Sequence, residues 1–231
     1  MQLARYLLGV TVAALALPAQ PIQVRPDRDD AEYLELATRY PSAVALPEGE
    51  GVLIAARWVL TSAARAKALR DAKPMPRLLL GEEAHEIQSV TVGDVGLVFL
   101  RKGVPDIEPS RLYRGDDEAG KTVAIAGHGN ADRKKRASIN TIDRVEARTL
   151  GLRVKPLDDA SDLQGRAVAG DIGAPLFIEA PAGIQVAGIL ASIDGDWETY
   201  ARVSVLAPWI EAVMLDATKR EMESLMDPDR R

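Results

Sequence analysis

Short apolar runs, separated by glycine, proline and charged residues, follow one another along most of the chain. Runs of this kind, bounded by turn residues, are typical of β-strands. Six strands are predicted in the first half of the chain, at 42–46, 51–55, 58–62, 78–81, 86–92 and 95–100. Six more are predicted in the second half, at 121–126, 138–146, 150–154, 174–178, 184–192 and 200–205. The pattern predicts an all-β protein, and periodicity alone does not distinguish a sandwich from a barrel.

Two segments carry helical rather than strand patterns, and another segment separates the two sets of strands. Residues 27–40 begin with acidic residues and end before Pro41, which predicts a short helix. Pro208 stands where a first helical residue is favoured, and apolar residues recur after it at helical spacing, which predicts a helix at 208–226. Residues 103–120 are rich in proline, aspartate and glycine and form the predicted linker.

The N-terminus has the pattern of a secretory signal peptide. Arg5 precedes an apolar run that ends at Leu17, and small residues lie close to its end. Because this run is too short to span a bilayer, a signal peptide at 1–19 is favoured over the alternative of an N-terminal membrane anchor. We therefore expect an exported protein, periplasmic or secreted, with no membrane span in the mature chain.

Composition then narrows the possible partners. The chain has 231 residues, of which 47% are hydrophobic, and a net charge of −5, which is ordinary for a globular protein. The negative charge makes nucleic acid and anionic lipid unfavourable partners. There is no cysteine, so neither a disulfide nor a thiolate site is possible. No metal is predicted, because the acidic groups at 116–118 and 158–162 follow no known calcium-loop spacing and are expected to be exposed loops. No small-molecule cofactor is predicted either, because Gly127-x-Gly129 alone is not a nucleotide signature.

Three stretches resemble the catalytic motifs of the trypsin-like (chymotrypsin-fold) serine proteases, which read W-V-L-T-A-A-H-C, D-I-A-L-L and G-D-S-G-G-P-L. They are 58–66, 94–100 and 170–176. Two further stretches, 127–129 and 202–210, are similar to the family's G-W-G turn and to its R-V-S-x-x-x-x-W-I segment. The resemblance implies two packed six-stranded antiparallel β-barrels and a C-terminal helix. Within a domain at 20–231, it places the first barrel at about 41–102, the second at 121–206 and the helix at 208–226.

The resemblance assigns the three catalytic positions to Arg65, Asp94 and Ile172, and only Asp94 matches the family. In that family a serine attacks the peptide carbonyl, a histidine takes its proton, and an aspartate orients the histidine. Ile172 has no heteroatom that could attack a carbonyl, and Arg65 stays protonated and cannot serve as a base. We also expect Arg65 and Asp94 to form an ion pair in the place of the histidine–aspartate contact.

Other site positions follow from the same resemblance. The backbone near Gly170, Asp171 and Gly173 corresponds to the family's oxyanion hole, and its amides would suit a carboxylate or carbonyl. Asp171 corresponds to an aspartate that pairs with a new N-terminal amine, but no matching N-terminal sequence is present, so its partner is open. Arg166 stands at the specificity-pocket position. Three roles are open for it: it selects an acidic group of a substrate, it fills the pocket and closes it, or, as we favour, it is only a charged residue of a loop.

The only histidines are His85 and His128. His85 is expected at a solvated hairpin end, and His128 on the far side of the second barrel from the catalytic positions. Neither is expected to restore a catalytic base beside residue 172.

The favoured function is a pseudoprotease, a noncatalytic homologue that binds a protein or peptide or regulates a protease. One alternative is a serine-type hydrolase with a displaced nucleophile. Another is a structural or assembly protein that docks through its C-terminal helix.

Overall fold

The computed structural model describes residues 22–129 and 134–226 of the chain. The predicted signal peptide lies outside these residues. The helices among them do not include one that is both long enough and apolar enough to cross a membrane.

Six antiparallel strands form the first barrel, in the order β2-β3-β4-β7-β6-β5. Their bounds are β2 Ala43–Leu46, β3 Gly49–Ala55, β4 Trp58–Ser62, β5 Arg77–Leu80, β6 Glu83–Val92 and β7 Val95–Leu100. Every residue of β4 and β7 is buried, and these two strands are neighbours at the centre of the sheet. Strands buried on both faces are expected to be largely apolar, and in these two strands only Thr61 and Ser62 are polar.

A second barrel closes through the order β13-β9-β10-β11-β15-β14 and a return pairing of β14 with β13. Its strands are β9 Thr122–Gly127, β10 Arg136–Val145, β11 Thr149–Arg153, β13 Pro175–Ala180, β14 Gly183–Asp194 and β15 Trp197–Arg202. Three two-residue strands are added: β1 Gln23–Val24 pairs with β12 Gly165–Arg166, and β8 Arg111–Leu112 pairs with β14. The predicted all-β class with two six-stranded antiparallel barrels is confirmed.

The hydrophobic core has one part inside each barrel and one part between them. The first barrel encloses residues such as Leu78 and Leu100, and the second encloses Ile125 and Leu176. The part between them includes the stacked pairs Tyr40–Phe177 and Trp58–Phe99, with ring centroids 4.9 and 4.4 Å apart. Since buried aromatic rings contribute large apolar areas, this shared core joins the two barrels.

Three α-helices accompany the barrels in the described part of the chain. The first, α1 (Asp30–Ala37), is capped by Asp29, whose side chain accepts a hydrogen bond from the amide of Ala31. It lies within the predicted 27–40 helix. The second, α2 (Ala63–Asp71), follows β4 directly and is capped by Ser62. It was not among the predicted elements.

The third helix, α3, spans Val203–Met226, so it begins five residues before the predicted start at Pro208. The prediction is wrong here because a proline inside the helix was taken for its first residue. The helix leaves the second barrel and packs on the first. The Trp209 ring fills the space above Gly93, and the Arg57 guanidinium donates two hydrogen bonds to Glu221, of 2.7 and 3.0 Å.

Candidate functional site

Gly49 brings together two positions that are far apart in the sequence, Arg65 and Ile172. A Cβ atom on Gly49 would lie 2.4 Å from the Cδ atom of Arg65 and 2.7 Å from the carbonyl oxygen of Ile172. Arg65 reaches this point from the first turn of α2, and Ile172 follows a short 3-10 helix at Ala169–Asp171. Only a residue without a side chain fits between them, so the first barrel and the second meet here.

The Arg65 side chain is 23% exposed, and its nearest described acidic partner is Glu48, at 3.6 Å. Its Nε atom is buried and has no hydrogen-bond partner among the described residues. The predicted Arg65–Asp94 ion pair is wrong. Asp94 accepts hydrogen bonds from Arg148 instead, one of them 2.6 Å long from Nε. Arg148 lies in the turn between β10 and β11, and the sequence did not indicate that this turn would reach Asp94.

The main-chain amides around Ile172 already donate hydrogen bonds within the chain. The amide of Asp171 donates to Val168 O at 2.8 Å, that of Ile172 to Ala169 O at 3.4 Å, and that of Gly173 to Leu190 O at 2.9 Å. Amides that bind a substrate oxyanion have to point at an unoccupied position. In this conformation the three amides are used internally, and the half-buried Ile172 side chain packs against the core of the second barrel.

Asp171 is fully buried, and its Oδ2 atom accepts a hydrogen bond of 2.9 Å from the amide of Val168. Its Oδ1 atom has no hydrogen-bond partner in the described part of the chain. Two further buried carboxyls, Glu50 and Glu198, act on it electrostatically. Burial, reinforced by these two acids, raises the pKa of Asp171 to about 7. The ion pairs of the described residues do not include one that supplies a cation to Asp171.

Glu50 connects His128 to the backbone of residue 172. The amide of His128 donates to Glu50 Oε1 at 2.8 Å, and its Nδ1 atom lies 3.0 Å from Oε2. The Glu50 amide in turn donates to Ile172 O at 3.0 Å. The prediction that His128 lies on the far side of the second barrel is therefore wrong. The strands predicted at 42–46 and 51–55 left Glu50 in the connection between them, whereas it is a buried residue of β3.

This histidine–carboxylate pair has the form of a base and its orienting group, but the described residues do not place a hydroxyl or thiol nucleophile beside it. His128 borders a cavity of about 440 Å³, and none of the described residues that line this cavity carries a hydroxyl or thiol. The hydroxyls near residue 172 have structural roles. Thr61 Oγ1 donates to Glu50 O at 2.6 Å, and Ser62 Oγ accepts a hydrogen bond from the amide of Arg65.

Arg166 lies in β12 and is directed at the turn between β14 and β15. It donates a hydrogen bond to Gly195 O, and its Nη1 atom lies 3.8 Å from Asp196. These contacts agree with the interpretation of Arg166 as a loop charge. A role in selecting substrates stays a prediction.

Two polar residues that were expected in solvent are buried. His85 is 5% exposed and pairs with Leu78 across β5 and β6, so it does not stand at a solvated hairpin end. Glu118 is 0% exposed and binds Arg202 and Ser204. The burial of Glu118 depends on contacts distant in sequence, which local polarity does not reveal, whereas His85 pairs within a hairpin.

No known protein-family model matches this chain, and no curated protein sequence matches it. The structure is then the main guide to function. Its principal feature is that Arg65 and Ile172 meet at Gly49, with the buried Asp171 directly before Ile172 in the sequence.

Proposed function

We propose that this chain is a noncatalytic homologue of the trypsin-like serine proteases, a pseudoprotease that binds a protein or peptide or regulates an active protease. The observation that carries this proposal is the contact at Gly49. Arg65 and Ile172, at the family's histidine and serine positions, are next to each other in space. Two packed six-stranded barrels with a C-terminal helix are consistent with the same family.

The chemistry of these two residues is the reason for proposing that the chain is noncatalytic. A guanidinium retains its proton throughout the physiological pH range, and a branched alkyl side chain has no lone pair with which to attack a carbonyl. Two further features support the proposal: Asp94 is paired with Arg148, and the amides around Ile172 donate within the chain. A displaced hydrolase centre is not favoured, because the nearby Thr61 and Ser62 hydroxyls are engaged structurally.

The proposal includes export, to the periplasm or the exterior, on the basis of the signal-like pattern at 1–19. Docking through the C-terminal helix stays an alternative prediction. Part of that helix already serves an internal contact, since Glu221 binds Arg57.

Prolonged incubation with unfolded casein, followed by mass spectrometry, tests the catalytic part of this proposal. We expect casein to remain intact in the presence of the purified chain lacking residues 1–19. The Arg65→His/Ile172→Ser double variant is the matched control, since it restores both family side chains on the same scaffold. Cleavage by the wild-type chain that persists at the same rate after Asp94→Ala substitution and repurification would overturn the proposal.

Binding is tested in parallel by the fluorescence anisotropy of labelled casein. A rise in the anisotropy of casein that stays uncut supports a peptide-binding pseudoprotease. Absence of both cleavage and binding would remove the peptide-binding part of the proposal and leave a protease-regulating role.

A further inference from the structure

A cavity of about 580 Å³ opens on the first barrel, away from the contact at Gly49. It lies between the β5–β6 hairpin, the β3–β4 turn at Ala56 and the segment that follows β7. Ala56 is close to the start of β4, whereas Arg65 follows the other end of that strand. Because β4 has five residues, the two regions are separated by roughly 13 Å of extended chain. The cavity is therefore independent of the site described above.

The walls of this cavity are held in place by main-chain hydrogen bonds. The amide of Val104 donates to Ala56 O at 2.8 Å, and the amide of Arg101 donates to Glu86 O at 2.9 Å. His85, which is almost completely buried, forms part of the wall. A cavity fixed in this way is ordered before a ligand arrives, which lowers the entropy cost of binding.

Three cations, Arg77, Arg101 and Lys102, and two carboxylates, Glu83 and Glu86, line the cavity, so its lining carries one excess positive charge. Arg77 forms an ion pair and a hydrogen bond with Glu86, and the Nε atom of Arg101 lies 3.2 Å from Glu86 Oε2. The hydrogen bond from Arg77 is the main cause of a lowered pKa at Glu86, and the charges of Arg101 and Lys102 act in the same direction. The position of this carboxylate is thus a point of positive potential in a chain whose net charge is −5.

Lys102 is the cation that this arrangement leaves available. The ion pairs within residues 22–129 and 134–226 do not include one made by Lys102. It borders the cavity beside apolar lining residues, namely Ala56, Ala84, Val104 and Pro105. A ligand with both a carboxylate and a small apolar group would match this combination of a charged rim and an apolar floor, the floor being formed by these four residues.

We propose that this cavity binds an acidic peptide segment of a partner protein. The peptide carboxylate pairs with Lys102 and competes with Glu86 for Arg77 and Arg101, while an adjacent apolar side chain covers the floor. A peptide is favoured over a small inorganic anion because the cavity is much larger than one anion requires and much of its lining is apolar. Glu86 then acts as an internal competitor that limits affinity for partners of lower charge.

Fluorescence anisotropy of a labelled peptide with alternating leucine and glutamate tests this proposal on the full chain at low salt. We expect Lys102→Ala and Arg101→Ala each to weaken binding about fivefold, the effect of losing roughly 1 kcal/mol of ion pairing. Glu86→Gln removes the competitor, so we expect about fivefold tighter binding. Binding should weaken as salt is added, because the rim is solvated.

The controls distinguish this site from general surface charge. Lys67→Ala removes an exposed lysine from α2, and Glu223→Gln neutralises an exposed acid on α3. Both are expected to leave affinity unchanged, and thermal melting confirms that every variant is folded. Equal binding of a leucine–glutamine peptide, an equal loss in Lys67→Ala, or no tightening in Glu86→Gln would each overturn the proposal. Absence of binding by the wild-type chain and by Glu86→Gln would overturn it as well.

Discussion

Glu118 and Asp171 are both completely buried, yet their surroundings differ in one respect. Glu118 accepts hydrogen bonds from both ends of the Arg202 guanidinium, of 2.8 and 2.7 Å, and a third from the Ser204 hydroxyl. Asp171 accepts one from the amide of Val168 and is close to two other acids, Glu50 and Glu198. One region therefore neutralises its buried acid, and the other accumulates acids.

The difference shows that the partner, rather than burial, decides what a buried carboxyl does to the protein. Burial raises the pKa of both groups, but at Glu118 the hydrogen bonds from Arg202 and Ser204 outweigh it and the pKa is lowered. At Asp171 the neighbouring acids add to the effect of burial, and the pKa is raised to about 7. The Glu118 region is thus built for stability, whereas the Asp171 region retains a buried acid at a cost in stability.

Removing the partner of Glu118 is expected to have the largest effect. Arg202→Ala leaves a buried carboxylate without its cation, so we expect the free energy of unfolding to fall by about 3–5 kcal/mol. Urea denaturation measures this change. Arg220→Ala, which breaks an exposed pair with Asp216 on α3, is the matched control and should cost less than about 1 kcal/mol. A similar small loss in Arg202→Ala would show that the two buried acids do not differ in the way described.

Neutralising Asp171 is expected to have an intermediate and pH-dependent effect. Because its folded-state pKa is about 7 and its ordinary value is 3.8, the folded state binds the proton more tightly and stability is lost as the pH rises through 7. Between about pH 5.5 and 8.5 this loss amounts to roughly 2 kcal/mol for one such group. Asp171→Asn should remove that part of the pH dependence and be more stable than wild type at the higher pH.

Thermal melting at both pH values measures the effect, with the exposed Asp158→Asn as control. Burial also raises the pKa of Glu50 and Glu198, so some loss of stability at high pH should remain in the variant. An unchanged pH dependence in Asp171→Asn would contradict the assignment.

The smallest effect on stability is expected at Asp94, whose ion pair with Arg148 is exposed to solvent. Both side chains are about half exposed, and ion pairs in water contribute little because solvent screens them. Asp94→Ala should therefore change the free energy of unfolding by less than about 1 kcal/mol, as measured by urea denaturation. A loss as large as that of Arg202→Ala would indicate that Asp94 has a buried partner, as the sequence-based ion pair with Arg65 required.

Much of the fold follows from local sequence patterns. The bounds of β4 and β7 are the predicted ones, because a short, largely apolar run has few alternatives. No helix was predicted at 63–71, although Ser62 followed by an alanine-rich segment is a helix-start signal. The start of α3 was misplaced because Pro208 is tolerated in the second turn of the helix.

The sequence singles out candidate positions for the site but not the contacts that these positions make. The resemblance identifies Arg65 and Ile172, but it does not indicate that Arg148 would take Asp94 or that Glu50 would bind His128. Such pairs join residues more than fifty positions apart, so no local pattern encodes them. His85 was more accessible to prediction, since alternation with Ile87 in β6 indicates an inward side chain.

The hydrogen bond from the amide of Glu50 to the carbonyl of Ile172 joins the two barrels through atoms that nearly every residue type carries. Replacement of the side chain at 172 leaves those atoms in place. The side chain at such a position is free to vary while the two halves of the molecule stay attached. A site joined through its main chain can therefore change its chemistry without first losing its shape.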